Sequence, residues 1–70
     1  MIYSEVSGTI SKILVSKNQI VENDSTLLII ECMKMLIPIN SINKGKIIEI
    51  FVNEGDIINE GEKLLDISYS

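Results

Sequence analysis

Seventy residues make one domain at most, here residues 1–70, and a domain of that size buries only about 60% of the surface its unfolded chain would expose. One cysteine, Cys32, and no histidine leave neither an internal disulfide nor a histidine-bearing metal staple to support the thin core, and an unpaired cysteine fits a reducing, cytoplasmic setting. A net charge of -4, six scattered cations that are all lysine (Lys12, Lys17, Lys34, Lys44, Lys46, Lys63) and few stacking residues (Tyr3, Phe51, Tyr69) argue against nucleic acid as a partner; the opening MIYSEVSGTI resembles no signal peptide, and no run approaches the roughly 20 apolar residues of a membrane helix, so a soluble protein without membrane insertion is expected.

Taken in chain order, short β-branched runs alternate with turn residues, which is strand punctuation. Val6 to Val15 reads as a strand, Lys17-Asn18-Gln19 as a turn, Ile20-Val21 as a short strand piece and Glu22-Asn23-Asp24-Ser25 as a second turn. Thr26 to Cys32 reads as the next strand and runs into the stretch Glu31-Cys32-Met33-Lys34-Met35, where a lysine interrupts the longest hydrophobic segment. Propensity alone extends one long strand through this stretch, because Met33-Lys34 lacks the glycine or asparagine of a tight hairpin. Pro38 restricts the second part of the segment to an edge strand or a bulge. Lys46 to Val52 is a strand, Glu54-Gly55-Asp56 a turn, Ile57-Ile58 a short piece, Asn59-Glu60-Gly61-Glu62 a turn, and Leu64 to Ser68 the last strand, in which Leu65 and Ile67 flank Asp66 and so define an inner and an outer face. No segment carries convincing helical periodicity with caps.

The second half repeats the first. Sliding the chain by 37 residues sets Gly8 on Gly45, Ile10 on Ile47, Ile13 on Ile50, Val15 on Val52, Ile20 on Ile57, Leu27 on Leu64, Leu28 on Leu65 and Ile30 on Ile67, without a gap. Two copies imply a pseudo-symmetric domain rather than a solenoid, which needs three or more repeats. Six to eight short strands with tight turns indicate an all-β fold, a small sandwich or flattened barrel of two quasi-symmetric halves sharing one core. The copies end near Glu31 and resume near Lys44, so Lys34 falls in the connection. A chain reversal there would place it at or near an exposed tip.

These residues resemble the biotinyl and lipoyl attachment domains over nearly the whole chain. The biotinyl branch is similar in its Glu-Ala-Met-Lys-Met, in a glycine eleven residues after the lysine, and in a closing Gly-x-x-Leu-x-x-Ile; here stand Glu31-Cys32-Met33-Lys34-Met35, Gly45, and Gly61-Glu62-Lys63-Leu64-Leu65-Asp66-Ile67. The resemblance implies a barrel-sandwich hybrid of two four-stranded halves with the attachment lysine on a β-hairpin. It implies that Lys34 carries covalent biotin, joined by a biotin protein ligase, and that Glu31, Met33 and Met35 are the neighbours the ligase reads. It further implies a carrier rather than an enzyme, with no catalytic residue of its own, working between biotin carboxylase and carboxyltransferase components and monomeric as an isolated domain. Departures from the family pattern are Cys32 in place of alanine, Ser4-Glu5 and Ser41-Ile42 in place of Ala-Pro pairs, and no long insertion between Val15 and Ile20. The expectation is a minimal domain, complete in itself or working as a loose subunit.

The chemistry suits the residue types. A lysine amine attacks an activated acyl group in its neutral form, yet an exposed lysine ordinarily titrates at about 10.4, so the ligase must take the proton. Methionines are flexible and polarizable, which suits a surface gripped in turn by several enzymes; whether one of Met33 and Met35 packs inward while the other stays exposed is left even. Lipoate on the same lysine is the alternative, although lipoyl domains more often show Asp-Lys followed by a small or β-branched residue. A third reading, an unmodified structural module, requires Lys34 to be dispensable. The ordinary reading of Cys32 is a small buried apolar residue, of Glu54, Asp56, Glu60 and Glu62 turn and surface carboxylates without metal-loop spacing, and of Gly8, Gly45, Gly55 and Gly61 turn or bulge geometry.

Overall fold

The computed structural model describes residues 1–69; Ser70, the last residue of the expected domain, lies outside the described residues. The described residues contain eight strands, β1 (Ile2–Tyr3), β2 (Gly8–Ile13), β3 (Ile20–Val21), β4 (Thr26–Cys32), β5 (Met35–Asn40), β6 (Gly45–Ile50), β7 (Ile57–Ile58) and β8 (Lys63–Tyr69). They form two four-stranded sheets, ordered β1-β8-β6-β3 and β5-β4-β2-β7, with antiparallel pairing throughout. The flattened shape measures 33 × 19 × 17 Å. No helix among the described residues is long and apolar enough to cross a membrane.

The 37-residue shift carries β1 onto the end of β5, β2 onto β6, β3 onto β7 and β4 onto β8, and it converts one sheet order into the other. The shared core obeys it residue by residue. Its buried apolar side chains fall into the pairs Ile10/Ile47, Val15/Val52, Val21/Ile58, Leu27/Leu64, Leu28/Leu65 and Ile30/Ile67. Each such side chain contributes roughly 1.5–3 kcal/mol on burial, and neither half holds enough of them to close a core alone. Ile13 and Ile50 line the margin of this core, half-buried.

The halves are interleaved rather than stacked. Short β3 of the first copy pairs with β6 of the second, and β7 of the second pairs with β2 of the first. The exchange is reciprocal: the Asn18 amide donates to the Ile47 carbonyl at 2.7 Å, and the Gly55 amide to the Ile10 carbonyl at 2.8 Å. In both copies the long strand carries a register shift, between Ile10 and Lys12 and between Ile47 and Glu49, which bends it around the core.

Local details differ from the sequence reading. Strands β2 and β6 stop at Ile13 and Ile50, short of Val15 and Val52, because the chain there turns to feed β3 and β7. Of the matched pair Ile20 and Ile57, both are exposed, while their neighbours Val21 and Ile58 are buried. Gly55 and Gly61 do sit in turns, at φ +93° and +90°. Gly8 and Gly45 instead open strands, where a Cβ would meet the backbone of the adjacent strand. Two turn carboxylates work locally, Asp56 Oδ2 accepting from the Asn53 amide at 2.8 Å and Glu62 Oε1 from the Asn59 amide at 3.1 Å, while Glu54 Oε2 reaches across to the other copy and accepts from the Ile13 amide at 2.9 Å.

Candidate functional site

Strand β4 is rich in Leu and Ile and lies in the interior of its sheet, between β2 and β5, which suits residues buried on one face and half-covered on the other. Its pairing with β5 runs Ile29↔Pro38, Ile30↔Ile37, Glu31↔Leu36 and Cys32↔Met35, so the chain reverses in two residues, Met33 and Lys34. Both take positive φ, 52° and 65°. That is the dihedral signature of a primed two-residue hairpin, whose twist matches that of the strands it joins. Asn-Gly adopts it readily; for residues such as Met and Lys the left-handed conformation costs on the order of 1–2 kcal/mol each. The long uninterrupted strand that propensity favours is therefore broken at Met33-Lys34 despite that cost. Pro38 lies in β5, an edge strand, as its missing amide proton requires.

The hairpin places Lys34 in solvent, and among the described residues its amine makes no ion pair. Met33 is 90% exposed and Met35 66%, so both stay outside the core. Glu31 is exposed and Cys32 half-buried and free, so the cysteine only partly fills the role of a buried small residue. The structure thus brings Glu31, Met33, Lys34 and Met35 together at one tip. Beneath them the Thr9↔Glu31 pair ties β4 to β2. No pocket is formed among the described residues, and the arrangement is suited to presenting an amine rather than to enclosing a substrate.

Sequence reasoning missed two contributors to this geometry. The left-handed turn has no signal in Met-Lys. Gly8 had one, its match to Gly45: a Cβ on Gly8 would stand 2.5 Å from the Glu31 carbonyl oxygen and 3.0 Å from Ile30 Cγ2. The close approach of β2 to the base of the hairpin depends on that bare Cα.

Two interleaved sheets with a lysine at the tip of the hairpin between repeats are the architecture of a prosthetic-group attachment domain. Residues 1–67 match the family model described as "Biotin-requiring enzyme", and the chain belongs to that family, the biotin/lipoyl attachment domains. It is 36% identical over 66 residues to the biotin/lipoyl attachment protein of Bacillus subtilis (strain 168), an alignment covering 94% of this chain and 90% of that one. It is 41% identical over 56 residues to the biotin carboxyl carrier protein of acetyl-CoA carboxylase from Pyropia yezoensis, covering 80% of this chain and 35% of that protein's length. Among solved structures, the lipoyl domain of the 2-oxoglutarate dehydrogenase complex from Azotobacter vinelandii superposes with a TM-score of 0.81 at 28% identity, over 90% of this chain and 80% of that one.

Proposed function

We propose that the protein is a biotin carboxyl carrier whose Lys34 is the attachment residue. The observation that carries this reading is the exposed, unpaired Lys34 at the tip of a two-residue hairpin, flanked by exposed Met33 and Met35. A covalent arm fits such a site: the amine is free, and nothing around it encloses the group once attached. A biotin protein ligase removes the proton from Lys34 Nζ, which then attacks the acyl carbon of biotinyl-adenylate. The amide C–N bond forms as the acyl–phosphate bond breaks, and AMP leaves. When attached, biotin supplies a ring nitrogen that takes up a carboxyl group at one active site and releases it at another. The hairpin holds the arm clear of the sheets, Glu31 and the methionines offer the ligase its contacts, and the tether gives the arm an effective concentration on the order of millimolar at each partner site.

Partners on this reading are the ligase and the biotin carboxylase and carboxyltransferase components of a cytoplasmic system, supported by the naming of the Pyropia yezoensis relative as a carrier of acetyl-CoA carboxylase. Co-expression with a biotin ligase is expected to add the mass of one biotinyl group. Lys34→Arg is expected to abolish the addition and leave the fold intact. An unchanged mass, with a control carrier modified in parallel, would overturn the assignment.

Lipoate is the second reading, favoured by the likeness to a lipoyl domain and by the double name of the Bacillus subtilis relative. Parallel lipoylation and biotinylation assays on the same preparation separate the two; exclusive lipoylation would replace biotin as the arm.

A further inference from the structure

An edge strand offers unpaired backbone donors and acceptors to any other chain, unless it is short, charged or interrupted by proline. Of the edge strands in the two sheets, β1, β3 and β7 are each two residues long. The remaining one, β5, runs for six residues, Met35-Leu36-Ile37-Pro38-Ile39-Asn40, and none of them is charged. Leu36 is 63% exposed and Pro38 is exposed near it. Length, lack of charge and apolar side chains make β5 the edge strand best suited to strand addition. The hairpin fixes which of its groups point outward. A two-residue turn is closed by a hydrogen-bonded pair, here Cys32↔Met35, and bonded and non-bonded pairs alternate along an antiparallel ladder. Ile30↔Ile37 is therefore the next bonded pair, whereas Glu31↔Leu36 and Ile29↔Pro38 are non-bonded. Leu36 and Pro38 thus turn their backbone groups away from β4, toward the open edge. Pro38 has no N–H to offer there, its ring fills the space of the missing proton, and the ladder between β4 and β5 loses nothing.

We propose that Pro38 is the residue that keeps β5 from pairing with β5 of a second copy of this chain, and so keeps the tip that carries Lys34 open. A second copy is the occupant this edge fits. The chain as a whole is acidic, with a net charge of -4, but its uncharged β5 would bring no like charges together. A two-fold antiparallel pairing centred on Ile37 sets Leu36 of each copy opposite residue 38 of the other, apolar against apolar on a shared face. An amide at position 38 would complete each of these contacts with a pair of hydrogen bonds. Proline leaves one bond of each pair unmade and sets a ring carbon against the Leu36 carbonyl of the other copy. In the same register Lys34 stands level with Asn40 of the other copy, so a paired edge would place a second domain beside the hairpin. That last consequence rests on the reading of Lys34 as the acceptor; the role of Pro38 at the edge does not.

Pro38→Val supplies the missing donor and a strand-forming side chain. In sedimentation equilibrium the wild-type chain is expected to stay monomeric, and Pro38→Val to form dimers with a dissociation constant at least about tenfold below any shown by the wild type. Moving the proline to the other outward position, in the double variant Leu36→Pro with Pro38→Val, is expected to return the chain to a monomer. In the wild type the Leu36 amide is expected to exchange with solvent at least about tenfold faster than the Ile37 amide. Circular dichroism checks folding, and Pro38→Ala replaces Pro38→Val if that variant unfolds. A folded Pro38→Val chain as monomeric as the wild type, dimers that persist when the proline is moved, or slow exchange at Leu36 would each overturn the role of Pro38. Labelling of Lys34 by a biotin protein ligase, read on the same samples, is expected to slow about tenfold where the dimer dominates and to match the wild type where the monomer does. Equal rates would overturn the shielding of the tip and leave the edge role standing. A wild-type chain that is never labelled removes the acceptor reading, and sedimentation still decides on Pro38.

Discussion

Gly8 lies against Glu31 so closely that a Cβ at Gly8 would stand 2.5 Å from the Glu31 carbonyl oxygen, and Gly45 repeats the relation to Ser68 at 2.6 Å. The obstacle is backbone in both cases, which has no rotamer with which to yield. Gly8→Ala and Gly45→Ala are each expected to lower stability by about 1–3 kcal/mol, as overpacking does. Urea unfolding measures it, and similar losses for the two variants are expected from the shared geometry. Gly8→Ala should also reduce labelling at Lys34, since it displaces the strand that carries the hairpin; a neutral Gly8→Ala would mean that the sheet is looser than its registers indicate.

The Met33-Lys34 turn holds two side-chain-bearing residues at φ 52° and 65°. Met33→Asn is expected to stabilise the domain by up to about 1 kcal/mol, because asparagine tolerates this conformation. Adding Lys34→Gly should raise the unfolding midpoint further and eliminate attachment. Stability and function are opposed at this turn. An unchanged or lowered midpoint in the double variant would show that the left-handed turn carries no strain.

Because β3 and β7 each complete the other half's sheet, a chain cut at the hairpin leaves each piece without an edge strand and with half a core. Peptides covering residues 1–33 and 35–70 are expected to be disordered alone by circular dichroism and amide dispersion, and to regain strand signal when mixed. A separately folded half would contradict the interleaving.

Glu49 is held below the ordinary carboxylate range, first by its hydrogen bond from Lys17, then by the Ile50 amide and the lysine charge. A depressed folded-state value means that the contribution is present above the unfolded value, near 4.5, and is lost as pH falls through the lower folded value. The pair is exposed, so the effect on stability is small and screened by salt. A carboxyl-carbon titration by NMR is expected to show Glu49 moving upward in Lys17→Ala; no movement would mean that the pair is not formed in solution.

What was legible in the sequence was the part written in local identity. Burial selects for apolar side chains wherever they sit, so an ungapped repeat of Ile10, Val15, Leu27, Leu28 and Ile30 at Ile47, Val52, Leu64, Leu65 and Ile67 disclosed the two halves and most of their common core, and the Met-Lys-Met stretch between the copies marked the connection. Tertiary structure decided the rest. Two-residue strands carry too little pattern to choose a partner, so the exchange of β3 and β7 between halves, and the inward choice of Val21 and Ile58 over Ile20 and Ile57, came from closing the core. The left-handed Met33-Lys34 turn was likewise imposed from outside: the paired strands on either side, anchored at Glu31↔Leu36 and Glu31↔Thr9, leave two residues to reverse the chain, and a fold-wide gain from sheet pairing outweighs the local cost of bending residues that would otherwise run straight.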